Sequence, residues 1–381
     1  MQIRTWVGIA AGVGTSFACG GADDARLVFR RLTYDAWFGA GDCRVSQSRK
    51  ARPACAALSR GMSVVPRSVR RIAAIALLGA TVACDDSTGA GPAGAPAPGG
   101  ITNPPSVTQP LDITGWIEAA PGDAPLVIVA PHGGELSPTV LPDRGCLGCV
   151  TSNDGNTQEL AREIVEAMVR RTGRRPFLVI NRLHRRKFDG NRDVAEATAS
   201  YAPLEPMWRG FHDAIDSAKA RALRVHPRVM LLDIHGHAHA VARLELGYLL
   251  TAAELRAADA VVGTGIAQSS IARLGTDARS GARGAELLRG PLALGTLLAD
   301  AGVPAVPSRQ DPAPLVGQEY FNGGYNTSRH GSRAGGPVDA IQIEHHASGL
   351  RATAADRARY ADLLAAALET FMRAHYAWPT R

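Results

Sequence analysis

The chain predicts an α/β fold, a mixed and mainly parallel sheet flanked by helices. Three observations carry that expectation. A short, unbroken, branched apolar run at 125–130 reads as a buried strand, 176–180 and 228–234 read as further strands, the latter central, and 338–344 reads as a strand ending on a carboxylate. Amphipathic stretches at 156–171, 203–223 and 353–375 separate or follow them, as in βαβ units. The residues with useful chemistry gather just past the ends of the runs, where open α/β sheets place their sites.

The chain has 381 residues, 45% apolar and 20% charged, ample for a sizeable core. Its net charge of +7 sits at one end. Residues 1–83 hold 12 of the 42 Lys and Arg but 4 of the 35 Asp and Glu, which leaves 30 basic and 31 acidic residues beyond them. The basicity therefore gives no reason to expect nucleic-acid binding.

That basic end contains a second start. Met62 precedes Arg67, Arg70 and Arg71, then the apolar stretch 72–80, then Thr81-Val82-Ala83-Cys84. A positive region, a short apolar region and small residues before a cysteine make a signal peptide, and the last four residues resemble a bacterial lipobox with Thr81 at the usual leucine. Residues 1–61, with scattered Cys19, Cys43 and Cys55, read as upstream translation or a disordered extension. Cys84 is the lipidation candidate. Residues 85–110 are rich in Gly, Ala, Pro, Ser and Thr and read as a flexible tether, with the catalytic domain at 111–381. The expected location is the cell envelope, lipid-anchored on the periplasmic or outer surface, and the expected partners are that membrane and a small-molecule or peptide substrate with a carboxylate. A genuine extension with a buried helix at 72–83 is the rival reading; the stretch is too short to span a bilayer.

Taken in order, 111–119 alternates weakly and suits an edge strand. After 125–130 comes Pro131-His132-Gly133-Gly134-Glu135, in which two glycines allow a sharp turn and close approach. The loop continues to Cys146-Leu147-Gly148-Cys149, where a local disulfide is the favoured reading for an exported protein and no second CxxC supports a four-cysteine zinc site. Asn156-Thr157-Gln158-Glu159 resembles a capping box opening the first helix. Strand 176–180 runs into a cation-dense loop from Asn181 and Arg182 to Asn191 and Arg192, suited either to solvent or to capture of a substrate carboxylate. In helix 203–223, Met207, Phe211, Ile215 and Ala218 form a core stripe. Strand 228–234 ends on Asp233-Ile234-His235-Gly236-His237. A strand is expected at 244–250, helices at 265–273 and 291–301, a plain loop at 321–331, and Glu344 at the end of strand 338–344.

His132 and Glu135 are natural zinc ligands, and His235 is the best third, with His237 a rival. Asp233 shares their strand face and suits an acceptor that orients a ligating imidazole. Three ligands leave an open position, the catalytic pattern, and Glu344 would take a proton from water and pass it to a leaving nitrogen.

The ordered set Pro-His-Gly-Gly-Glu, Asn-Arg…Asp-Gly-Asn-Arg, Asp-Ile-His-Gly-His, Gly-Gly-Tyr-Asn-Thr-Ser-Arg-His-Gly and Gln-Ile-Glu resembles the N-formylglutamate amidohydrolase family, over residues 124–375. The resemblance implies a phosphorylase/hydrolase-like, zinc carboxypeptidase-like sheet, zinc on His132, Glu135 and His235, and Glu344 as base. It implies that Arg192 and Arg329 handle substrate carboxylate or carbonyl groups, with Asn181, Arg182 and Asn191 framing the pocket. The cysteine loop does not map onto that pattern, and an envelope anchor sits poorly with cytoplasmic histidine degradation. The expected activity is metal-dependent hydrolysis of an amide beside a carboxylate. A cell-wall amidase or peptidase and a non-catalytic, lipid-anchored binding protein are the alternatives.

Overall fold

The computed structural model describes residues 110–378. The readings placed on 1–61, on the signal at 62–84 and on the tether up to residue 109 lie outside the described residues. Seven strands form one mixed sheet: β1 (Ile117–Ala120), β2 (Leu126–Ala130), β3 (Phe177–Asn181), β4 (Val229–His237), β5 (Leu244–Gly247), β6 (Ala305–Val306) and β7 (Val338–His346). Their order is β1-β3-β2-β4-β7-β5-β6. The inner four, β3, β2, β4 and β7, are mutually parallel; β1 and β5 run antiparallel to their inner neighbours, and β6 runs with β5.

Strand alternation divides the core in two. Leu126, Ile128, Met230, Leu232, Ile341 and Ile343 point to one layer; Val127, Val129, Val229, Leu231, Val338 and Ala340 point to the other. The first layer is closed by α1 (Thr157–Thr172) and by the C-terminal helix Ala354–Tyr376. These two helices are also tied by ion pairs from Arg170 to Asp362 and from Arg171 to Glu369. The second layer is closed by α3 (Glu205–Leu223), through Met207, Phe211, Ile215 and Ala218, after the short α2 (Val194–Thr198). The crossover from β2 to β3 and that from β3 to β4 travel in opposite directions along the sheet. Right-handed crossovers then put their helices on opposite faces and open a crevice at the carboxyl ends of β2 and its neighbours.

Local differences from the sequence expectation have local causes. Asn156 takes a left-handed conformation (φ 65°) and makes no side-chain cap; Thr157 Oγ1 donates to the Asp154 carbonyl instead. The helix expected at 265–273 is broken, because buried Ser269 and Ser270 turn their hydroxyls onto the carbonyls of Ile266 and Ala340. The expected loop at 321–331 contains a helix, Tyr325–His330, whose first turn is closed by the Thr327 hydroxyl bonding to both the amide and the carbonyl of Gly324. Among the described residues no helix is long and apolar enough to cross a membrane.

Candidate metal centre

The β2 end delivers His132 into the crevice. Its two following glycines are required by packing: a Cβ on Gly133 would meet the start of α1, and one on Gly134 would lie on the Leu183 carbonyl. The chain past Gly134 then runs alongside the continuation of β3, with Leu136 N–H donating to Arg182 O and Leu136 O accepting from His184 N–H. That path leaves Glu135 exposed.

Three buried side chains converge instead. His132, Asp154 and His235 are 1%, 6% and 2% exposed, and one ligand atom from each lies within 4.8 Å of the others. Asp154 Oδ2 is 3.3 Å from His132 Nδ1, 3.2 Å from His235 Nδ1, and accepts from the Gly236 amide at 3.1 Å. Each imidazole turns its other nitrogen to its own buried carboxylate. His132 Nε2 donates to Asp189 at 2.6 Å and His235 Nε2 donates to Asp233 at 2.9 Å. These bonds fix both tautomers with Nδ1 facing Asp154, the carboxylate–histidine arrangement found behind metal ligands. Asp189 is itself held by Arg185 Nε, Arg144 Nη1 and the Asn191 amide, and Asp233 by Asn326 Nδ2.

The electrostatics follow. Burial works to raise the Asp154 and Asp189 carboxyls, but the His132 charge and hydrogen bond overcome it and hold both well below the usual carboxylate range. Burial likewise opposes charge on His235, but Asp233 and Asp154 hold it protonated well above the ordinary imidazole value. Two imidazole nitrogens and a carboxylate pointing at one another need a proton or a cation between them. The donor set suits a borderline divalent ion.

Glu344 completes the group. β7 pairs with β4 in a register that sets Glu344 opposite His235, and its Oε1 lies 4.0 Å from His235 Nδ1. Gln342 Nε2 donates to Oε1 at 2.9 Å, while Oε2 is buried with no hydrogen-bond partner among the described residues. Burial pushes the Glu344 carboxyl up to about 8, with Asp154, Glu245 and Asp233 adding to the rise and His235 opposing it.

The other sequence candidates divide. Asn191 is at the centre, its amide nitrogen 3.3 Å from His235 Nε2 and its oxygen accepting from the Asn326 amide. Arg192 follows it, bonded to Glu196 and to Asn191 O. Arg329 lies over the Trp208 ring at 5.2 Å, and the same indole donates to the Arg192 carbonyl, so Trp208 holds the two cations' segments together. Asn181 braces the Pro131 and Leu183 carbonyls. Arg182 does not frame the pocket: it is exposed and donates to Gly115 O, because the chain there still pairs with the β1 side. His237 is not gathered with His132 and Asp154; its Nε2 donates to the Arg243 carbonyl. Cys146 and Cys149 form a disulfide in the loop that leads to Asp154. The sequence reading missed Asp154, whose setting, Ser152-Asn153-Asp154-Gly155, reads as an ordinary turn. Its one available signal was an acidic residue just ahead of a helix beside the His132 strand.

No family model matches the chain, and no curated protein matches it. Among solved structures it is similar to gene product Atu2144 from Agrobacterium tumefaciens, at 16% identity over 66% of this chain and 94% of that one, with a TM-score of 0.40. It is also similar to N-formylglutamate amidohydrolase from Ralstonia eutropha JMP134, at 17% identity over 68% of this chain and 96% of that one, with a TM-score of 0.40. Likeness of that degree carries no weight for activity.

Proposed function

We propose that the chain is a zinc-dependent amidohydrolase that cleaves an amide bond beside a carboxylate, on an N-acyl amino acid or small peptide. The supporting observation is the convergence of His132 Nδ1, His235 Nδ1 and Asp154, each imidazole backed by its own carboxylate, with the unpartnered oxygen of Glu344 alongside. In this reading Asp154 takes the ligand place that the sequence reading gave to Glu135.

Zinc held by these three residues would polarise an acyl carbonyl and make water more acidic. The protein's own part is positional and acid–base. Asp189 and Asp233 hold the imidazoles with Nδ1 presented inward. Glu344 Oε2 accepts the proton of the attacking water and returns it to the departing nitrogen. Burial, which raises the Glu344 carboxyl, favours its holding the proton, and a cation beside it favours the charged, proton-accepting form, so the two act on opposite halves of that transfer. Arg192 and Arg329, gathered about Trp208, supply guanidinium groups for a substrate carboxylate. The same proposal places the enzyme at the cell envelope on a lipid at Cys84, which rests on residues 62–84 alone.

The test is hydrolysis of a panel of N-acyl amino acids and small peptides by the zinc-loaded chain and its Glu344→Gln variant. We expect turnover in the wild type and a loss of roughly 10²–10⁴-fold in the variant at unchanged zinc content. Full activity after zinc removal, or in Glu344→Gln, would overturn the proposal.

A further inference from the structure

We infer that His237, His239 and Glu245 form a second divalent-metal site, one that takes a zinc-like ion. One ligand atom from each lies within 4.8 Å of the others, the same closeness that His132, Asp154 and His235 show. The three come from the end of β4 and the start of β5. The connection between them crosses the carboxyl end of β7, since β7 lies between those strands. Register sets Glu344 opposite His235 on one side and opposite Glu245 on the other, so the two groups flank Glu344.

The side chains are prepared for a cation. His237 Nε2 donates to the Arg243 carbonyl at 2.8 Å, which leaves Nδ1 with its lone pair, met in this structure by the His239 amide at 3.2 Å. Glu245 is fully buried, with Oε2 accepting from the Phe321 amide and Oε1 3.0 Å from His239 Nδ1. A buried carboxylate needs a positive partner, and an imidazolium or a metal ion can be that partner. His346, opposite His237 in the register, has a buried Nδ1 with no partner among the described residues and a ring centroid 5.7 Å from that of His237. Three imidazoles and a carboxylate in one place, one nitrogen unpartnered, exceed what a single His–Glu ion pair requires. Two nitrogens and one oxygen suit zinc better than calcium or magnesium. An ion there would pin the crossing connection and, through Phe321 stacked on His239, the segment ahead of the Tyr325–His330 helix.

The experiment is a zinc count on the full chain, stripped with chelator, reloaded with zinc and desalted. We expect about two zinc ions per wild-type chain and about one in His239→Gln, Glu245→Gln or His132→Ala alike. His132→Ala combined with His239→Gln should hold none. One zinc per wild-type chain that is lost in His132→Ala and kept in His239→Gln overturns the second site and leaves the proposed active site standing. One zinc lost in His239→Gln and kept in His132→Ala does the reverse. No zinc in folded wild type removes both. If His239→Gln fails to fold, as judged by its melt in chelator, the wild-type and His132→Ala counts decide alone.

Discussion

Replacing Asp154 by Asn tests the centre most sharply, because shape is nearly kept while charge is lost. Asp154 Oδ2 sits 3.3 and 3.2 Å from the two Nδ1 atoms, with the Gly236 amide at 3.1 Å. An asparagine oxygen can keep the amide contact but cannot offset a divalent charge. Outer carboxylates that only orient a ligand typically contribute 10–100-fold to metal affinity. A direct ligand between two imidazoles should contribute at least the upper figure, about 2.8 kcal/mol at 1.4 kcal/mol per decade. Glu135, exposed and outside the cluster, should contribute almost nothing. The assay is competition for zinc against a chromophoric chelator at neutral pH, with the melt of each metal-free variant as a check on folding. Asp154→Asn should weaken zinc by about 100-fold or more, and Glu135→Gln by less than about twofold. If the two variants exchanged those outcomes, the spacing of His132 and Glu135 in the sequence would have been the better guide and the geometry described above would be refuted.

Acid should destabilise the fold through its buried neutral histidines. Burial pushes His212 and His345 down to about 3 from an ordinary 6.5, helped in each case by nearby positive groups. Their folded values are depressed, so between 6.5 and about 3 the unfolded chain binds the extra proton and stability falls as pH falls. From neutrality to pH 5 each should cost about 2 kcal/mol at 1.36 kcal/mol per unit, read as a shift in the denaturant midpoint; a flat profile would show these imidazoles reach solvent. Phe211→Ala should cost about 3–5 kcal/mol, because the ring is fully buried between α3 and the sheet and meets Phe188 edge-on; a loss below about 1 kcal/mol would mean the site collapses without a cavity. Arg329→Ala should raise KM for carboxylate substrates by about tenfold or more and leave kcat nearly unchanged, the pattern of lost uniform binding. Equal KM values for the variant and wild type would remove Arg329 from the substrate's path.

Some of this protein was determined by sequence alone. The runs at 125–130, 176–180 and 228–234 are too short for helices and rich in branched residues, which suits strands buried on both faces, and β2, β3 and β4 stand there; β7 stands on the expected strand 338–344. Period alone placed Met207, Phe211, Ile215 and Ala218 on one stripe, and all four are buried against the sheet. Strand alternation likewise put Asp233 and His235 on a common face. Other features were set only by tertiary structure. Asp154 and His132 are separated by a loop whose course depends on Arg144, which reaches from that loop to Asp189 and to the Arg185 and Glu196 carbonyls. No local pattern encodes such contacts. The β4–β7 register, which sets Glu344 opposite His235, is a pairing between residues more than a hundred positions apart. Glu135 lies exposed and outside that cluster for the matching reason: spacing along a chain fixes distance only while the backbone stays regular, and past Gly134 the backbone follows β3 rather than turning back to the crevice.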